Sequence, residues 1–243
     1  MKKHSDNFLE TTSLSAIEHL LEHKPEQIKS LRVSDRPSGR LATVWALARE
    51  AGITPVTDRG LGEGESALAL LVPYVFEEFK TVLSTLADKK RALIIALDHV
   101  QDPQNFGALC RSAEALGAAA LFLPKDRSVS VTGSVYAASA GAVATLPVCQ
   151  VTNLNEALRQ SKDAGFWIVG STLAEDATGL EKMPDFEKMV LVMGAEGAGM
   201  SSHTEKLCDW KLQIPLRGSV QSLNVSAAGA ILMHELMKRV SAN

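Results

Sequence analysis

The chain reads as an α/β protein in two parts, a small α/β unit over residues 1–88 and a larger parallel-sheet domain over 89–243. Three observations predict this. Short, almost wholly apolar runs at 92–97, 119–123, 166–170 and 189–193 have the pattern of parallel strands buried on both faces. Helical patterns lie between them, and Gly117 and Gly165 stand where helices of this length end. The charged run Asp88-Lys89-Lys90-Arg91 separates this regular alternation from a less regular first part.

Taken in order, Ser15-Ala16-Ile17-Glu18 has the capping-box pattern that opens a helix, and 28–33 reads as extended. Leu41, Val44, Trp45, Leu47, Ala48 and Ala51 form a helical stripe that stops at Gly52. Short strands are expected around 54–56 and 67–72, split by the glycine-rich loop 58–65. From Pro73, the spacing of Phe76, Phe79, Val82, Leu83 and Leu86 predicts a helix leading to the boundary. Beyond the four apolar runs, shorter strands are expected at 145–148 and 211–214, and a last helix over 223–240. Such a sheet carries helices on both faces and binds ligands outside the carboxyl ends of its strands.

Composition narrows the function. The longest apolar stretches are far too short to span a bilayer, and the basic start Met1-Lys2-Lys3 leads into polar residues, so a cytoplasmic protein is expected. The net charge is −3: residues 1–88 hold 10 basic and 13 acidic side chains, and 89–243 hold 15 of each. That balance lacks the broad basic footprint of a nonspecific nucleic-acid binder, so any RNA contact must use local patches such as Arg111, Lys125, Arg127 and Arg217. Cys110, Cys149 and Cys208 give neither a disulfide framework nor a zinc pattern and read as reduced thiols. His19 and His23 lie four apart on a helix without a third ligand nearby, so no metal site is expected.

Three polar loops follow apolar runs. The first is Asp102-Pro103-Gln104-Asn105-Phe106-Gly107-Ala108-Leu109-Cys110-Arg111-Ser112. The second is Met193-Gly194-Ala195-Glu196-Gly197-Ala198-Gly199-Met200, and 22 residues after its last glycine comes Gln221-Ser222-Leu223-Asn224-Val225-Ser226. The glycine order is neither G-x-G-x-x-G nor G-x-x-x-x-G-K-[ST], which argues against NAD and P-loop nucleotide binding. What remains is a loop of open backbone able to hold an adenine or methionine moiety, with Glu196 supplying a carboxylate. Each loop alone has a plainer reading: the glycines as a tight turn, Ser222 as a helix cap, Arg111 as a surface residue.

Together, Asn105-x-Gly107-x-x-x-Arg111, the run from Gly194 to Met200 and Ser222-Leu223-Asn224-Val225-Ser226 resemble the three motifs of the SpoU (TrmH-like) branch of the SPOUT RNA ribose 2′-O-methyltransferases. The resemblance covers about residues 92–240. It implies a SPOUT-type parallel sheet with a C-terminal trefoil knot, S-adenosylmethionine as cofactor, RNA (rRNA or tRNA) as substrate and a homodimer formed through the catalytic domain. It places the cofactor pocket at Gly194, Ile214 and Leu223, with backbone around Gly170, Gly199 and Pro215. It places the catalytic set at Asn105, Arg111, Glu196, Ser222 and Asn224, with no metal. More loosely, residues 13–72 are similar to the small L30e-like substrate-binding domain of the family's rRNA enzymes. Departures at Ser13, at Glu65-Ser66-Ala67 and at Ala137, where relatives often carry lysine, leave the RNA target open. A noncatalytic RNA-binding or ribosome-assembly protein that keeps this fold is the alternative.

Overall fold

The computed structural model describes residues 8–35, 39–62, 64–174, 176–195, 197 and 199–241. The first part contains β1 (Leu9–Thr11), α1 (Leu14–His23), β2 (Ile28–Val33), α2 (Arg40–Glu50), β3 (Val56–Thr57) and β4 (Ala67–Leu71). Its four strands run in the order β1-β4-β2-β3, antiparallel except for the β2–β3 pair. In β4, fully buried Ala67, Ala69 and Leu71 alternate with partly exposed residues, as a sheet packed on one face requires.

The second part begins with α3 (Phe79–Ala87) and β5 (Ala92–Asp98), followed by α4 (Pro103–Ala115), β6 (Ala120–Pro124), α5 (Gly133–Ala138) and β7 (Val148–Val151). It continues with α6 (Leu154–Asp163), β8 (Trp167–Ser171), β9 (Lys188–Gly194), α7 (Ser202–Leu207), β10 (Trp210–Leu212) and α8 (Val225–Ser241). The six strands pair in parallel in the order β10-β8-β9-β5-β6-β7. Every residue of β5 and β6 is buried, because the sheet is covered on both sides. Period-two alternation sorts β5: Leu93, Ile95 and Leu97 join one core with α4 and α8, while Ala92, Ile94 and Ala96 join a second with α3 and α6.

The first core continues into the small sheet. Tyr136 Oη donates to Gln27 Oε1 at 2.9 Å, Tyr74 Oη donates to the Val143 carbonyl at 3.1 Å, and His19 Nε2 lies 3.0 Å from Thr145 Oγ1. His19 is therefore half-buried where α1 meets the second part of the chain.

Several elements differ from the sequence expectation. α1 is capped by Ser13, whose hydroxyl accepts from the Ala16 amide, and not by Ser15; Glu18, the expected capping-box partner, is held instead by Arg40. Strand β3 lies at 56–57, one to two residues later than expected, in register with Arg32 and Val33. The stretch 142–144 is a 3₁₀ turn entered through left-handed Gly141, so β7 starts at Val148. β10 comes earlier than expected, paired through Trp210–Leu212, and β1 was not anticipated. Gly117 and Gly165 do follow helix ends with positive φ, as expected.

Candidate functional site

The three polar loops come together at the carboxyl ends of β5, β9 and β8. Asp98, the last residue of β5, is in register with Gly194, the last of β9. Asp98 is 2% exposed, and Oδ2 accepts from the Ser201 amide at 2.8 Å, which ties the end of the glycine loop to β5. Its Oδ1 pairs with His99 Nδ1, and His99 has a left-handed φ of 64°.

Helix α4 starts with Asp102 as N-cap, its carboxylate accepting from the Asn105 amide at 3.0 Å, and with Pro103 at the first turn, where no amide partner is lost. This places Asn105 inward, 9% exposed. Its Oδ1 accepts from Asn224 Nδ2 at 2.9 Å, a contact between residues 119 apart in sequence. Asn224 Oδ1 accepts in turn from the Ser226 amide at 2.9 Å and the Ala227 amide at 3.4 Å, capping α8. Because those amides fix which end of Asn224 is the acceptor, its NH₂ group is left to face Asn105. The first and third motifs are thus joined by one oriented amide.

Arg111 lies elsewhere on the same helix. Six residues from Asn105 is about 240° around an α-helix, and Arg111 is accordingly exposed while Asn105 is buried. Gly107 serves packing: a Cβ there would lie 2.5 Å from Ala138 Cβ, so glycine lets α4 sit against α5. Cys110 is fully buried, and burial pushes its thiol well above the ordinary range.

Between the second and third motifs lies a cavity of about 620 Å³. Ser171 at the end of β8 and residues 172–174 after it form one wall, and Met193, Gly194, Ala195, Gly197 and Gly199 form another. Ile214, Leu216, residues 221–223, Val225 and Ala228 close it, and Glu205 of α7 projects into it. Gly194 is required for this shape. A Cβ on it would lie 2.1 Å from the Gly199 carbonyl carbon and 2.2 Å from the Met200 nitrogen. The loop folds back through Ala195 N–H to the Gly199 carbonyl at 3.1 Å and Gly199 N–H to the Ala195 carbonyl at 2.9 Å.

Of the expected cofactor residues, Gly194, Gly199, Ile214 and Leu223 line this cavity, as does Ser222 of the catalytic set. Pro215 stands between two lining residues. Gly170 sits behind the wall, where its missing side chain makes room for Cys208 Sγ and Met200. Asn105 and Asn224 meet at the cavity's third-motif side, Arg111 does not line it, and Glu196 lies outside the described residues. Thr172 and Glu205, which lie outside the three motifs, line the cavity as well, and so does Gln221 at the start of the third. Thr172 follows a strand's carboxyl end and was in that sense findable; Glu205, on a six-residue helix, carried no signal.

The cavity fits S-adenosylmethionine. Its volume lies within the range of about 300–1,000 Å³ usual for small-molecule sites. Ile214, Leu216, Leu223, Val225 and Ala228 offer an apolar slot for a flat base, while open glycine backbone, Thr172, Ser222 and Glu205 offer polar partners at its edges. Among the described residues no group of three His, Cys, Asp or Glu could hold a metal ion, and no helix is long and apolar enough to cross a membrane.

Comparison with known proteins agrees with this geometry. Residues 92–234 match the model of the SpoU rRNA Methylase family. A TrmH family tRNA/rRNA methyltransferase homologue from Staphylococcus epidermidis is 39% identical over 176 residues, covering 72% of this chain and 70% of that protein. The SpoU methyltransferase AviRb from Streptomyces viridochromogenes, solved with AdoMet, superposes with a TM-score of 0.79 at 21% identity, covering 96% of this chain and 91% of its own. An RNA 2′-O ribose methyltransferase gives a TM-score of 0.78 at 21% identity, covering 98% and 92%. Identities this low show the shared α/β fold with its parallel sheet.

Proposed function

Because the chain belongs to the SpoU rRNA methylase family, and is an RNA methyltransferase that uses S-adenosylmethionine, we propose that it methylates a ribose 2′-hydroxyl in structured RNA, ribosomal RNA first and transfer RNA second. The observation that carries this is the Asn105–Asn224 hydrogen bond, which joins two of the three motifs beside the cavity lined by the third. A relative of the same fold bears the name RNA 2′-O ribose methyltransferase, which supports the ribose as acceptor.

S-adenosylmethionine supplies an electrophilic methyl group on a sulfonium. The chain's own residues then do what an in-line displacement needs, which is chiefly to position the acceptor and exclude competing geometries. Asn105, its amide oriented through Asn224 and the α8 cap, holds the nucleotide at the cavity mouth. Arg111 grips a phosphate with its planar fork and polarises the hydroxyl, whose proton passes to solvent as the methyl group leaves the sulfur. Ser222, which lines the cavity, and Glu196 complete the set.

We further propose that residues 1–88 form an L30e-like RNA-binding unit and 89–243 the catalytic domain, with a trefoil knot at the cofactor site. Support for the knot is that the chain leaves β9, crosses β8 to β10 at the sheet edge and returns to lay α8 against α4. There Arg239 donates to the carbonyls of Leu180 and Met183, so α8 is held under the segment that precedes β9. The protein acts as a homodimer in the cytoplasm, and Ile231, 43% exposed on α8, supports a pairing face on the catalytic domain.

The test is methyl transfer from labelled S-adenosylmethionine into separate ribosomal and transfer RNA pools from cells lacking the protein, with Arg111→Ala in parallel. Label in one pool, lost in the variant, is expected. Label in neither pool, with cofactor binding intact, would replace the reading with that of an RNA-binding protein.

A further inference from the structure

We propose that Glu205 recognises the cofactor, its carboxylate accepting a hydrogen bond from one of the cofactor's donor groups, either the ribose hydroxyls or the ammonium. The inference rests on the cavity between the glycine loop and residues 221–225 being the S-adenosylmethionine site.

Glu205 is the acidic side chain in that wall among the described residues. It is delivered there rigidly although α7 has only six residues. The helix is pinned at its start by Ser201 N–H on buried Asp98 at 2.8 Å, in its middle by Thr204 Oγ1 on Asn155 Oδ1 at 3.0 Å, and just past its end by Asp209, which accepts from the Ile168 amide at 2.8 Å. These anchors reach β5, α6 and β8, so the helix cannot swing the carboxylate away without breaking contacts to three elements.

The carboxylate is also oriented and under-used. Thr172, itself in the cavity wall, donates its hydroxyl to Glu205 Oε1 at 3.1 Å. Lys211 stands 3.9 Å from the same oxygen but is committed to Asp176 at 2.7 Å and 3.1 Å. A carboxylate can accept at about four lone-pair positions, and these partners occupy few of them. At 28% exposure the side chain is neither sealed in the core nor free in solvent. An acceptor held in this way, the one charged side chain among the described residues that line the cavity, selects a ligand that brings its own donor. The vicinal hydroxyls and the ammonium are the donors that this cofactor has beyond its base.

Titration calorimetry tests the assignment with two probes, S-adenosylhomocysteine and 5′-deoxy-5′-methylthioadenosine, which keeps the ribose and lacks the ammonium. Glu205→Gln, an isosteric change, is expected to weaken S-adenosylhomocysteine by about tenfold, the loss of one charge-assisted hydrogen bond. Thr172→Val, which removes the hydroxyl that orients the carboxylate and keeps the bulk of the cavity wall, is expected to weaken it by roughly two- to threefold. Equal loss for both probes identifies the ribose as partner, and loss for S-adenosylhomocysteine alone identifies the ammonium. Affinities within twofold of the unaltered protein for both probes, with an unchanged thermal midpoint, would overturn the inference while leaving the cofactor site in place. Failure of the unaltered protein to bind either probe would remove the site itself, and the inference with it.

Discussion

Replacing Gly194 by alanine tests the glycine loop at its tightest point. The new Cβ would lie 2.1 Å from the Gly199 carbonyl carbon, 2.2 Å from the Met200 nitrogen and 2.4 Å from the Gly199 oxygen. All three are backbone atoms, so no side-chain rotation relieves the clash. The 199–200 segment must retreat by about 1.3 Å to reach ordinary contact at 3.4 Å. That movement breaks the paired bonds between Ala195 and Gly199, which span 3.1 Å and 2.9 Å. Two such bonds contribute roughly 1–3 kcal/mol together, and overpacking of this kind costs a similar amount. Taking about 2 kcal/mol as the net loss, a chain of this size should melt roughly 4–8 °C lower. The same retreat shifts one wall of the cavity, so S-adenosylhomocysteine should bind at least about tenfold more weakly, as the loss of one well-placed polar contact already does. Thermal unfolding and calorimetry read the two effects. Gly218→Ala, where the added Cβ meets nothing within 4 Å, serves as the control and should change neither. A Gly194→Ala protein with unaltered melting and affinity would refute the close-approach argument for the loop.

Asn224→Ala removes both the α8 cap and the partner of Asn105; a loss of about 1 kcal/mol in stability, seen in denaturant titration, should accompany a much larger fall in turnover, and full turnover would detach the amide pair from catalysis. Arg111 is exposed and outside the cavity wall, so Arg111→Lys should leave melting and cofactor affinity unchanged while turnover falls by about a hundredfold or more, through loss of the planar fork; equal activity would reduce Arg111 to a point charge. Burial, and after it the neighbouring His23, lowers the His19 imidazole below its ordinary value. The folded protein therefore keeps His19 neutral where the unfolded chain takes up a proton, so its contribution is fully present above about pH 6.5 and drains away as pH falls through the lower folded value. His19→Asn should accordingly flatten the decline in melting temperature between pH 7 and 5, and parallel curves for the two proteins would contradict this. Gly107→Ala, forced against Ala138 Cβ at 2.5 Å, should cost about 1–3 kcal/mol measured by chemical unfolding, since both helices are fixed.

The central sheet was readable because β5, β6, β8 and β9 are short apolar runs, and burial on two faces leaves no other use for such runs. Strand β1 escaped notice because its pattern is three residues long and ends in a buried threonine, so only its pairing with Leu71, Leu70 and Ala69 defines it. The cap of α1 was misplaced because Ser13 and Ser15 both precede a helical stripe; Ser13 accepts from the Ala16 amide, and Glu18 pairs with Arg40 in place of a reciprocal bond to the helix start. At the site, the glycine loop and the 221–225 stretch could be read as ligand-facing from their residue types. The Asn105–Asn224 bond and the arrival of Glu205 could not, because each depends on elements brought together over 100 residues apart: Asn105 with Asn224, and Asp98 with Ser201 ahead of α7. The turn of α4 that separates Asn105 from Arg111 follows from helix geometry, yet which of the two faces inward is set by the packing of α4 against α5 and α8.

Where the methyl group lands decides the central claim. RNA methylated by the purified protein with S-adenosylmethionine would be digested to nucleosides and each methylated product assigned by mass spectrometry. The account predicts that the added mass resides on the ribose, in a nucleoside whose 3′ linkage resists alkaline cleavage, and that the product is absent with Arg111→Ala. A methyl group on a base, or its persistence in that variant, would contradict it.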